Sequence, residues 1–297
     1  MQSLGPVISA HGFSYHSYAD DTQLFLSFPS SDINIKSRIS ACLKDIGTWM
    51  SSHHLKLNLS KTELIFLPCN DSPLTDLSLS IQNTSVVPSL TAKSLGVTLD
   101  SQLSFTSYIA ATARSCRFSR YNIRKIRPFL TKEATQLLVQ SLVLSRLDYC
   151  NVLLAGLPAS AIHPLQMIQN AAARLVFNLT KFSHVTPLFR DLHWLPIMSR
   201  IKFKTLVLAY RSVHLSAPPY LQDLVSLQTP LRPLRPSTSA GRLAPPRLKS
   251  RSQARLFSFL APKWWNELPT VVRTAETLPI FRKKLKTHLF SLYFDPC

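Results

Sequence analysis

The chain has 297 residues, 45% of them apolar, which suffices for one large domain or two ordinary ones and excludes a wholly disordered chain. Its formal net charge of +19 is unevenly spread: residues 1–100 sum to −2 and residues 101–297 to +21. That asymmetry predicts a polyanionic partner, nucleic acid ahead of an anionic membrane surface, and argues against a neutral metabolic enzyme.

The N-terminus runs at once into Leu4-Gly5-Pro6-Val7-Ile8 without a polar lead-in, so the chain is expected to begin inside a larger fold. Residues 13–28, FSYHSYADDTQLFLSF, set aromatic and apolar runs on both sides of Ala19-Asp20-Asp21-Thr22, the pattern of a β-hairpin. The tip has no glycine, which predicts a turn wider than two residues. Pro29-Ser30-Ser31-Asp32 then ends the strand. Ile39, Leu43, Ile46 and Met50 recur at helical spacing and predict a helix over about 32–51. Leu55, Leu57 and Leu59 alternate with polar residues as a half-buried strand does, and Leu95–Asp100 reads as a turn and strand.

Beyond residue 105 the periodicity is helical. Thr131 is placed to cap a helix ending near 148. Ile162, Leu165, Ile168, Ala172, Leu175 and Val176 mark a second helix, Pro196 opens a third over 196–214, and Thr277 caps a last one with Phe281, Leu285 and Leu289 on its apolar face. Residues 230–255 hold five prolines and seven basic residues with no acid, the composition of a linker or extended basic arm. The fold class expected is α+β, divided into 1–100, 101–229, the linker 230–255, and a small helical unit 256–297.

The five cysteines are odd in number and contain no CxxC pair, which fits neither a disulfide framework nor a structural zinc site. There is no apolar run long enough to cross a bilayer and no basic-then-apolar leader, so no membrane or disulfide partner is expected, and the setting is intracellular.

Two features carry chemistry. Asp20 and Asp21 are adjacent carboxylates that repel each other, and a divalent cation relieves that repulsion. Mg²⁺ takes oxygen ligands and bridges carboxylates to phosphates, and two such ions about 4 Å apart clamp both oxygens of a nucleotidyl transfer. The bland alternative is a solvated turn. Secondly, Arg117, Arg120, Arg124 and Arg127 recur at 3, 4 and 3, so one helical face would be almost wholly arginine, with Phe118 and Tyr121 interleaved. Arginine forks bind phosphates and aromatic rings stack on unpaired bases.

Tyr18-Ala19-Asp20-Asp21 resembles the YxDD box of reverse transcriptases, and the string HGFSYHSYADDTQLFLSF is similar to the version in LINE-type, non-LTR retrotransposons. The likeness continues through Trp49-Met50, Leu55-Lys56-Leu57-Asn58, Lys61-Thr62-Glu63 and Leu95–Asp100. It extends to the tail segments QNAAARLV (169–176), LHWLPIMSRIKFK (192–204), APPYLQDL (217–224) and APKWWNELP (261–269). The resemblance implies a partial polymerase palm, formed by a small antiparallel sheet with the YADD hairpin and one helix, followed by a mostly helical thumb and C-terminal region. It implies Asp20 as a primary Mg²⁺ ligand with Asp21 beside it, Tyr18 against the nucleotide or primer end, and Lys61 near the incoming triphosphate. RNA template and DNA primer are the implied partners, and the nucleus the favoured compartment. The family also places a further carboxylate on an earlier palm strand, and the 17 residues before Tyr18 contain no Asp or Glu. The chain is therefore expected not to polymerise DNA by itself. The competing reading is a non-catalytic basic RNA- or DNA-binding protein derived from a retroelement.

Overall fold

The computed structural model describes residues 4–29, 32–68, 78–81, 84–228, 241–244 and 252–294. The fold is α+β, and the contacts divide it into two compact units, Met1–Phe105 and Thr106–Cys297.

In the first unit, α1 (Leu4–Ala10) is followed by a hairpin of β1 (Ser14–Tyr18) and β2 (Asp21–Phe25), then by α2 (Ile35–Ser52). The small core joins Leu4, Ile8 and Phe13 to Cys42 and Ile46 of α2, with Leu24 and Leu26 packed against it. Leu43 and Met50, expected on the buried face, are only partly buried, while Cys42 is fully buried. Gly5 has a packing reason: a Cβ there would collide with the Tyr15 ring, so glycine lets the hairpin lie against α1. His11 Nε2 and Asp45 Oδ2, 2.8 Å apart, tie the end of α1 to α2.

The remaining strands are short. β3 (Leu64–Ile65) runs parallel to β6 (Pro88–Ser89), β4 (Leu79–Ile81) pairs with β5 (Thr84–Val86), and β7 (Thr91–Ser94) pairs with β8 (Val97–Asp100). The single antiparallel sheet expected from the sequence is thus replaced, among the described residues, by four separate two-stranded ladders, one of them parallel. Among the described residues no strand exceeds five residues, and β1 is exposed on both faces, so little apolar surface is available to bring the ladders into one sheet. The strand expected over Leu55–Leu59 does not form. Leu55 stays exposed, its N–H turns back to the Met50 carbonyl (2.8 Å) at the end of α2, and a 3₁₀ turn at Leu59–Lys61 interrupts the alternation. Leu95 and Gly96, both at positive φ, make the two-residue turn between β7 and β8.

The second unit is helical: α3 (Thr106–Ile126), α4 (Lys132–Val139), α5 (Ser145–Asp148), α6 (Ala159–Val176), α7 (Thr186–Asp191), α8 (Ile197–Val213), α9 (Pro219–Gln222), α10 (Phe257–Asn266), α11 (Thr270–Arg273) and α12 (Leu278–Phe294). A π-helical turn at Gln140–Leu144 joins α4 to α5. Thr131 caps α4, its Oγ1 accepting from the Ala134 N–H at 3.2 Å. All six apolar positions expected on α6 are buried. Buried Gln169 donates Nε2 to the Leu195 carbonyl at 2.8 Å, and Gln166 Oε1 accepts from the Ile197 N–H at 2.9 Å. These two amides pin the entry of α8 to α6.

Residues 257–294 share a core with α8 and do not build one of their own. Tyr210, Trp265 and Phe281 stack, with centroids 4.4 Å apart for Tyr210–Phe281 and 5.4 Å for Trp265–Phe281. Trp265 Nε1 donates to the Gly241 carbonyl at 2.6 Å. Of the basic stretch 230–255, only 241–244 and 252–255 fall within the described residues. The first of these pieces is packed, not extended. Leu243 is wholly buried, bridges to Leu227, and exchanges hydrogen bonds with the Asn266 side chain at 3.0 and 2.8 Å.

Candidate nucleic-acid interface

The β1–β2 ladder pairs Tyr18 directly with Asp21, leaving Ala19 and Asp20 as a two-residue tip. The wider turn expected for lack of glycine is not formed. Ala19 itself takes the left-handed conformation, φ 53°, at a cost of about 1 kcal/mol. Asp20 sits on the tip and Asp21 opens β2, and both are exposed. Tyr18 is 70% exposed. Lys61 lies in the 3₁₀ turn after α2, exposed, with its side chain in no hydrogen bond or ion pair among the described residues. Among those residues, no group of three or more His, Cys, Asp or Glu is disposed to hold a metal ion. Two carboxylates at an open tip do not by themselves make the multi-ligand Mg²⁺ site that a two-metal reaction requires.

The arginines are arranged differently. Arg117 and Arg124 are exposed on α3, and Arg120 is half-buried beside them. Burial first, and then the adjacent Arg124 and Arg117, lower the Arg120 pKa below the ordinary arginine value. Arg120 Nε is buried without a hydrogen-bond partner. The expected four-arginine face is cut short. Pro128 stops α3 at Ile126, and Arg127 falls in the following 3₁₀ turn. There Arg127 donates Nε to the Leu175 carbonyl (3.2 Å), Nη1 to that of Leu130 (2.7 Å) and Nη2 to that of Val176 (3.1 Å). It satisfies the open carbonyls that end α6.

This junction brings α6 alongside α3 and opens a cleft of about 290 Å³. Arg120, Arg124, Arg127, Arg174 and Lys181 line it, with Asn178, and no acid among the described residues does. Asn178, at φ 53°, terminates α6, and Arg174 Nε donates to the Ser183 carbonyl at 2.8 Å, fixing the loop that carries Lys181 and Phe182. Arg174, Asn178, Lys181 and Phe182 were not foreseen from sequence. They form no run of charge, and only the folding of α6 onto α3 makes them neighbours of the arginines.

The remaining groups are structural. The Arg200 guanidinium pairs with the Asp148 carboxylate, and Lys204 Nζ donates to the Asp148 carbonyl at 2.5 Å. The Asp100 carboxylate accepts from the N–H groups of Gln102 (3.2 Å), Ser104 (2.8 Å) and Phe105 (2.6 Å). Burial would raise its pKa, and these bonds outweigh burial to hold it below the ordinary carboxylate value. Cys42, Cys116 and Cys150 are free thiols, and burial pushes the Cys116 pKa up to about 11. Among the described residues, no helix is long and apolar enough to cross a membrane.

No family model, no curated protein and no solved structure matches the chain.

Proposed function

We propose that this chain is a fragment of an RNA-directed DNA polymerase of the non-LTR retrotransposon type, inactive alone, whose second unit holds nucleic acid. The observation that carries the reading is the hairpin tip. The Tyr18-Ala19-Asp20-Asp21 string, quoted above for its likeness to the reverse-transcriptase box, sits on an exposed two-residue turn with both carboxylates free to meet a partner surface. In the parent enzyme Asp20 and Asp21 would supply two of the carboxylates of a Mg²⁺ site, with Tyr18 and Lys61 toward primer and nucleotide. The remaining carboxylate must come from elsewhere, so no catalytic step is assigned to this chain by itself. RNA template and DNA primer are the partners, and the setting is intracellular, with the nucleus favoured.

Primer extension on an RNA template with Mg²⁺ tests this in two arms. The chain alone is expected to incorporate nothing. Adding a polypeptide that carries the family's earlier palm strand and its aspartate is expected to restore incorporation, which Asp20→Ala then abolishes. Incorporation by the chain alone refutes the claim of inactivity, and failure to restore it refutes the polymerase reading.

The acid-free cleft favours a second reading, a non-catalytic RNA- or DNA-binding protein of retroelement origin, because phosphate binding by arginine needs no metal. Under it, Asp20→Ala/Asp21→Ala leaves nucleic-acid affinity unchanged, and no complementing polypeptide restores incorporation.

A further inference from the structure

The cleft between α3 and α6 is a place where like charges are held together without relief. Arg120, Arg124, Arg174 and Lys181 converge on one small volume that no carboxylate enters. Nearby backbone acceptors are already committed. The open carbonyls at the end of α6 are taken by Arg127, and the Ser183 carbonyl by Arg174 Nε. Arg120 Nε remains buried and unpartnered, a donor whose desolvation nothing among the described residues offsets. An oxyanion entering the cleft would meet the guanidinium groups of Arg124 and Arg174 beside that of Arg120, the donors arginine offers to phosphate.

The surroundings narrow the ligand further. Tyr121 lies on the same stretch of α3, between Arg117 and Arg124 in helical register, and is 54% exposed. Phe182 follows Lys181, which lines the cleft from the loop after α6, and is 82% exposed. Each ring carries a lysine ammonium, Lys125 at 4.7 Å from the Tyr121 centroid and Lys181 at 4.9 Å from that of Phe182. Exposed rings beside phosphate-binding cations form a stacking platform, and stacking requires bases whose faces are free. Bases in a duplex already stack on one another. An acidic protein surface would use the cations and leave the rings idle.

We infer that this cleft grips a backbone phosphate of an unpaired nucleic-acid strand, whose flanking bases stack on Tyr121 and Phe182. The inference rests on the nucleic-acid reading of the second unit and is independent of any chemistry at the hairpin.

Fluorescence anisotropy of the full chain with a labelled oligothymidylate, and with a duplex of equal length at the same salt, tests it. The single strand is expected to bind about tenfold more tightly, and Phe182→Ala to remove about that factor from the single strand with little change for the duplex. Phe182 is too exposed for its truncation to unfold the helices, and far-ultraviolet circular dichroism verifies this. Lys286→Ala, in the separate basic groove beside Phe203, is expected to leave the single-strand preference intact. Equal affinity for strand and duplex, or a Phe182→Ala loss shared by both, overturns the inference and leaves nucleic-acid binding standing. Binding of neither ligand overturns both.

Discussion

Arg127→Ala separates holding the fold from holding the ligand. Arg127 lines the basic cleft, yet each nitrogen of its guanidinium donates to a carbonyl, of Leu130, Leu175 or Val176. A hydrogen bond from a charged donor contributes roughly 1.5–3 kcal/mol, so three at the low end approach 4.5 kcal/mol, with a few tenths more from a cation at a helix C-terminus. The side chain is half-buried, and water will replace part of what is lost, which leaves about 3 kcal/mol. For a unit of this size that corresponds to a fall in Tm of about 6–12 °C. Arg127→Lys keeps the charge but cannot reach three divergent carbonyls from one ammonium, so it is expected to recover only a minor part of the loss. Thermal unfolding followed at the helical circular-dichroism band measures all three proteins, with exposed Arg124→Ala as the comparison, expected to stay within about 0.5 kcal/mol of the parent. The reasoning is refuted if Arg127→Ala unfolds with the parent, or if Arg127→Lys restores stability in full. In the first case the three bonds contribute nothing; in the second, charge alone does the work.

Other expectations follow from the same geometry. Arg124→Ala should reduce the slope of log affinity against log salt by roughly 0.7 on a single strand, and an unchanged slope in a salt titration would remove Arg124 from the interface. Asp100 has a folded pKa below its unfolded value of about 3.9, so its stabilising contribution is complete above that value and is lost as pH falls through the lower folded one. Acid unfolding of Asp100→Asn should therefore show a shallower pH dependence in that window, and parallel curves would contradict the assignment. Trp265→Ala removes the fully buried ring that stacks on Phe281 and should cost roughly 3–5 kcal/mol in denaturant unfolding. Cys116, wholly buried with its pKa pushed up to about 11, should resist alkylation at neutral pH until the helical unit unfolds, and early labelling would show that the unit opens locally.

What could be read in advance was whatever depends on one element at a time. The α6 face and the Thr131 cap are local periodicity and local capping, and the fold kept both. The hairpin itself is local too, but its tip was misjudged. Ala19 accepts a left-handed backbone at a cost the strand pairing on either side can offset, so the absence of glycine did not forbid the tight turn. The alternation of Leu55, Leu57 and Leu59 misled for the opposite reason. Alternation describes a strand only when a neighbouring strand satisfies its backbone, and here the Leu55 N–H goes to the Met50 carbonyl and the Asn58 carbonyl to the Lys61 N–H instead. Arginine periodicity promised a face of four, and Pro128 was already in the sequence to say that the helix could not continue through Arg127. The cleft was beyond any such reading. Its two walls are 48 residues apart at the Arg127–Leu175 bond, and the loop cations gain their meaning only when α6 ends against α3. The charge surplus of the latter part of the chain raised the expectation of an anionic partner without saying where one would sit. The pairing of the two helix ends gathers part of that surplus around one cleft, because it commits Arg127 to the fold and leaves Arg120, Arg124 and Lys181 lining a volume that no acid among the described residues lines.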